Sequence, residues 1–135
     1  MLIKLDLKGL SKMYKIIWWC ILAVILYSLL CIFTYGTETE ECQRLAPKYN
    51  AQTEYVLWDN TRIDLLSDEY AIEVDWSNKW EEAVGQSVYY SIVSNRKPAI
   101  ILLVKDFSKE SRFIYRCYIV CTKLDIKLYL EKVND

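Results

Sequence analysis

No histidine occurs among the 135 residues. That absence removes every mechanism that needs imidazole as acid, base or ligand, including Ser-His-Asp triads, Cys-His pairs and His-rich zinc sites. Carboxylate, lysine, tyrosine and cysteine chemistry remains. A strong charge of one sign is also missing, since 17 basic residues stand against 18 acidic ones. Lys4, Lys8, Lys12 and Lys15 take up much of the positive charge near the start, which leaves the rest mildly acidic, by about four residues. A broad basic surface for nucleic acid is therefore not expected, and any such contact would have to be local or metal-assisted. The five cysteines include no CxxC pair, and there is no internal repeat or low-complexity tract.

The first feature present is an uncharged run, IIWWCILAVILYSLLCIF, from Ile16 to Phe33. As a helix it would span about 27 Å, close to a bilayer's hydrocarbon thickness. It also lacks the polar face of a core helix. The run predicts one N-terminal transmembrane helix, with residues 1–36 forming a cytoplasmic tail plus anchor, or a signal peptide removed after export. Bulky Trp18, Trp19 and Tyr27 favour the anchor. Lysines before the run and Glu38, Glu40 and Glu41 after it predict a cytoplasmic N-terminus and an extracytoplasmic C-terminal domain. In an oxidising compartment Cys42, Cys117 and Cys121 allow one bridge, and either of the last two could reach Cys42.

Residues 37–52 read as a polar linker, TETEE, and a short helix, ECQRLAPKY, ended by Pro47. The domain proper, residues 53–135, begins with strands at Thr53–Trp58, Thr61–Leu66 and Tyr70–Trp76, joined by turns at Asp59-Asn60 and Ser67-Asp68. Asn78 and Glu81 have capping-box spacing. They open a helix to about Ser94 with Trp80, Val84, Val88 and Ile92 as its apolar stripe. Ala99–Val104, AIILLV, suits a strand covered on both faces. A helix over Ser108–Thr122 and a strand over Ile126–Leu130 complete the order α-β-β-β-α-β-α-β. Gly85 inside the first of these helices suggests close approach of a neighbouring backbone.

An even turn around Ser67-Asp68 pairs Arg62 with Glu73 and Asp64 with Ala71. By alternation Arg62, Asp64, Glu73 and Asp75 then share one sheet face, opposite Ile63, Leu65, Ile72 and Val74. Three neighbouring carboxylates repel one another unless a cation lies between them, and Mg²⁺ or Mn²⁺ suits such donors. An exposed polar face with Arg62 and nearby lysines as partners would fit the same residues. On the following helix Lys79, Glu82, Gln86 and Tyr90 line one stripe.

The stretch from Glu54 to Val104, with its RxD, AIExD and KWxEAxGQxxxY runs, resembles the PD-(D/E)xK (restriction endonuclease-like) nuclease superfamily, and in particular its small exported or membrane-anchored branch. The resemblance implies an αβββαβ core, a mixed four-stranded sheet flanked by helices, with a helix and strand added at the C-terminus. It implies Asp64 and Glu73 as metal-binding acids, and Gln86 and Tyr90 as a QxxxY motif that supports the site and the nucleic-acid backbone. Asp75 departs from the pattern, because a lysine usually stands there to orient water and stabilise charge on the phosphate. Either Asp75 is a further metal ligand, or the lysine has moved to Lys79, or the site has decayed. The expected function is a membrane-tethered or exported, Mg²⁺- or Mn²⁺-dependent nuclease acting on DNA or RNA, with Asp64, Glu73, Lys79, Gln86 and Tyr90 catalytic. The alternative is an inactive interaction module on the same fold.

Overall fold

The computed structural model describes residues 7–133, with side chains for 14–29 and 38–133. Contacts divide the chain into two compact units, Met1–Thr37 and Glu38–Asp135. Helix α1 runs from Leu7 to Tyr49, so the stretch expected as linker and separate short helix is one continuous helix. Pro47 lies inside its last turn rather than ending it. The helix stops where Asn50 adopts a left-handed conformation, φ 47°, and Ala51 N–H bonds to Ala46 O at 3.0 Å.

Among the described residues no helix is long and apolar enough to cross a membrane. The expected transmembrane helix, the membrane partnership through Ile16–Phe33, the signal anchor and the extracytoplasmic placement are therefore corrected. The side chains of Lys4, Lys8 and Lys12, of Cys31 and of Thr34 to Gly36, the expected cleavage region, lie outside the described residues.

In the Glu38–Asp135 unit the elements are β1 (Gln52–Val56), β2 (Arg62–Leu66), β3 (Tyr70–Trp76), a 3₁₀ turn (Ser77–Lys79), α2 (Trp80–Ser94), β4 (Lys97–Val104), α3 (Phe107–Leu124) and β5 (Lys127–Lys132). This is an α/β fold with a mixed five-stranded sheet in the order β1-β2-β3-β4-β5. The first three strands form an antiparallel meander, whereas β3-β4 and β4-β5 are parallel and need crossover helices, supplied by α2 and α3. The continuous apolar run of β4 has a direct cause. Ala99, Ile101 and Leu103 pack with Cys42 and Leu45 of α1, and Ile100, Leu102 and Val104 pack with Ala83 of α2 and Cys117 and Cys121 of α3.

Two helix details differ from the sequence patterning. Lys79 occupies the N-cap of α2 with no side-chain hydrogen bond, so the capping box at Asn78 and Glu81 does not form. The buried side of α2 is Ala83, Ser87 and Tyr90, while Ile92 is exposed. Gly85 faces open space, and a Cβ there would meet nothing within 4 Å, so it marks no close approach. Cys42 and the Cys117–Cys121 pair lie on opposite sides of the sheet, which rules out the bridge considered between them; all are free thiols.

Candidate functional site

Ser67 N–H bonds to Tyr70 O at 3.0 Å, which centres the β2–β3 turn on Asp68-Glu69, one residue later than the turn signal suggested. The register is accordingly Leu65↔Ile72 and Leu66↔Ala71. Leu66 and not Asp64 therefore stands opposite Ala71, and the pairing ends at Leu65. Alternation breaks at Asp64, since Ile63 and Leu65 pack on opposite sides of the sheet, yet Asp64 lies near enough for its charge to act on Glu73. Ile63 does change company, packing with Ala71 and Tyr90 rather than with Leu65. Beyond Leu65 the ladder is taken over by a side chain, because Asp64 Oδ2 accepts the Val74 N–H at 2.9 Å.

Parallel pairing fixes the other two acids. Glu73 lies beside Ile100 and Asp75 beside Leu102, on the side covered by α2 and α3. Both are only 5% exposed. Burial is the main force raising the Glu73 carboxyl far above its usual range, reinforced by the charges of Asp64, Asp75 and Glu38. Asp64 is raised too, by burial first; the Val74 N–H opposes this, while Glu54, Asp75 and Glu38 add to it. Burial also lifts Asp75, to about 6, with Lys79 holding it down. Among the described residues Glu73 Oε2 is the buried side-chain oxygen or nitrogen without a hydrogen-bond partner. Such an atom costs about 1–3 kcal/mol, more if charged, unless something occupies it.

Lys79 ends the 3₁₀ turn and so precedes α2 instead of lying on it with Gln86. Its Nζ bonds to Glu38 Oε1 at 2.8 Å and lies 3.4 Å from Asp75 Oδ1. Burial alone would lower the ammonium's pKa, but these two carboxylates outweigh it and raise it. The turn itself is anchored from α3. Ser77 is buried and its hydroxyl bonds to Glu110, whose other oxygen accepts the N–H groups of Lys105 and Asp106 at 3.0 and 2.8 Å.

The remaining expected residues separate. Tyr90 is buried, donates to Gln86 Oε1 at 3.3 Å, and has its phenol raised to about 12 by burial and by the charges of Glu73 and Asp64. Gln86 and Glu82 are exposed. Arg62 pairs with Glu54 of the edge strand β1 at 3.0 Å. Glu38 was missed, because its residue fell in the supposed linker. Its signal was the spacing Glu38, Cys42, Leu45, Tyr49, one face of a helix.

Among the described residues no three aspartates, glutamates or cysteines converge on a point that could hold a metal ion. The three expected acids do not form such a cluster, and Asp75 instead lies 3.4 Å from the Lys79 ammonium. The chemistry of Asp64 and Glu73 still fits a hard divalent cation, with oxygen donors, one buried oxygen lacking a partner, and carboxyls raised by burial.

No family model and no solved structure matches the chain. It is similar to two putative KilA-N domain-containing proteins of Acanthamoeba polyphaga mimivirus. One is 34% identical over 98 residues, 73% of this chain and 37% of that protein. The other is 36% identical over 66 residues, 49% of this chain and 18% of that protein. The chain therefore spans well under half the length of either relative. Neither protein's description names a nuclease or a membrane protein, so those expectations gain no support from the relatives.

Proposed function

We propose that the Glu38–Asp135 unit is a nuclease-like domain of the PD-(D/E)xK kind that acts on nucleic-acid phosphodiesters, with Mg²⁺ or Mn²⁺ held by Asp64 and Glu73. The observation that carries this reading is the buried, partnerless Glu73 oxygen beside Asp64, at the point where the β2–β3 ladder ends. A buried and a half-buried carboxylate that repel each other are stabilised together by one hard cation. When bound, such an ion polarises a phosphate oxygen and acidifies a coordinated water. The chain supplies the rest. Lys79 offers an ammonium to charge developing on the phosphate, in place of the lysine missing at Asp75, and Asp75 and Glu38 position it. Tyr90 holds Gln86 at the exposed surface of α2, where it can meet the substrate backbone. The similarity to KilA-N domain-containing proteins is compatible with interaction with nucleic acid.

A second reading, nucleic-acid binding without turnover, is favoured by one feature. Lys79 is already neutralised by two carboxylates. Incubation with plasmid and single-stranded DNA in Mg²⁺ or Mn²⁺ separates the two. Cleavage that falls at least about 100-fold in Asp64→Ala and Glu73→Ala is expected for the nuclease. Binding without cleavage points to the second reading, and cleavage that survives both substitutions removes the proposed site.

A further inference from the structure

The unit as a whole is mildly acidic, yet one helix face is not. Lys109, Arg112, Arg116 and Lys123 are spaced by three, four and seven along α3, which places them within about 60° around the axis. All four are exposed. The acids of this segment are turned away or committed. Glu110 faces Ser77 and the Lys105 and Asp106 N–H groups, and Asp106 caps the helix through Ser108 and Lys109 N–H while lying 3.2 Å from the Lys109 ammonium. Among the described residues Arg112, Arg116 and Lys123 form no salt bridge. Beside the cations stands Tyr115, three residues from Arg112, 64% exposed and turned away from buried Cys117 and Cys121. Exposed aromatic area of that kind has no packing role in the domain.

Resting on the nucleic-acid reading above, we propose that this face of α3 is a docking surface for single-stranded nucleic acid. The partner follows from charge and shape. The cations extend over about 21 Å of helix, long enough to run beside several successive phosphates of one strand. A duplex keeps its base faces stacked, whereas a single strand exposes them to a ring such as Tyr115. The surface also leads to the candidate site. The N-terminus of α3 is tied to the 3₁₀ turn that carries Lys79, and Lys105 lies over the Trp76 ring at 5.1 Å between them. A strand lying on α3 therefore reaches the end of β3 that holds Asp75 and the 3₁₀ turn that carries Lys79.

The test is fluorescence anisotropy of the full chain with a labelled 20-nucleotide single strand in EDTA, across 50 to 200 mM salt. Losing two phosphate contacts in Arg112→Ser/Arg116→Ser is expected to weaken binding roughly 25-fold at 0.1 M salt and to flatten the salt slope by about 1.4. Tyr115→Ala is expected to weaken it about fivefold or more for the single strand, with little change for duplex. Lys127→Ser, at the other end of the sheet, is expected to leave binding unchanged. An unaltered melting temperature confirms folding, and Lys123→Ser with Tyr115→Ala carries the test should the arginine pair unfold.

Wild-type affinity and salt slope in the variants overturn the proposal, as does loss of binding to phosphatidylserine vesicles in place of DNA. If cleavage in Mn²⁺ persists while those variants bind normally, the surface is wrong and the nuclease reading stands. A wild-type chain that neither binds nor cleaves overturns both.

Discussion

Glu73 and Glu131 are both buried carboxylates on this sheet, 5% and 9% exposed, and their surroundings have opposite effects. Burial pushes Glu131 up, but hydrogen bonds from the Lys48 ammonium and the Tyr49 hydroxyl, the latter at 2.6 Å, outweigh it and hold the group below its usual value. Burial pushes Glu73 up as well, and there its principal neighbours, Asp64, Asp75 and Glu38, are carboxylates that push in the same direction. The more distant charge of Lys79 only partly offsets them. Burial is thus common to a structural pair and to a candidate site. What separates them is whether the fold supplies the compensating donors, and at Glu73 it does not.

The sharpest way to break this comparison is to neutralise each acid in turn. Glu73→Gln is expected to abolish cleavage, by at least about 100-fold, while Glu131→Gln leaves it within a fewfold. Metal linkage comes next. At pH 8, Mn²⁺ at 100 times its dissociation constant should stabilise the wild type by about 2.7 kcal/mol, and should do so in Glu131→Gln but not in Glu73→Gln. Removing the ion with EDTA should reverse the gain, and both effects should be small at pH 5, where the raised carboxyls hold protons instead.

Without metal the two acids should mark opposite limbs of the stability curve. A carboxyl whose folded pKa is raised stabilises the fold below its unfolded pKa, near 4, and that contribution is lost as pH rises. For Asp75 the loss runs from about 4 to about 6, and for Asp64 and Glu73 it continues higher. Glu131 is depressed, so its contribution is present above about 4.5 and lost as pH falls. Melting temperature against pH should flatten on the alkaline side in Glu73→Gln and on the acid side in Glu131→Gln. Glu131→Ala, which strands Tyr49 and Lys48, should cost about 1–2 kcal/mol in denaturant unfolding. The smallest effect is a control beside the site. Gly85→Ala should stabilise by about 0.5–1 kcal/mol with unchanged cleavage, since its Cβ enters open space.

Asp64 and Glu73 were legible as neighbours because both lie near the same hairpin. The turn's centre and the break after Leu65, where Asp64 accepts the Val74 N–H, were not, since neither leaves a mark in the local pattern. The order of strands and helices from residue 53 followed from periodicity and turn residues. The role of α1 did not, because an apolar run at its start drew attention from the Glu38, Cys42, Leu45, Tyr49 face that packs on the sheet. Lys48 and Glu131 are 83 residues apart, and no local pattern joins them. Lys79 was identifiable as a candidate by its distance from Asp75 in sequence, but its second partner, Glu38, comes from α1.

Calorimetric titration of the full chain with Mn²⁺ at pH 8 tests the central claim most directly. Saturable binding of an ion that disappears in Glu73→Gln and Asp64→Asn but persists in Glu131→Gln is the expected result. Binding that is absent in the wild type, or equal in all four proteins, would contradict it.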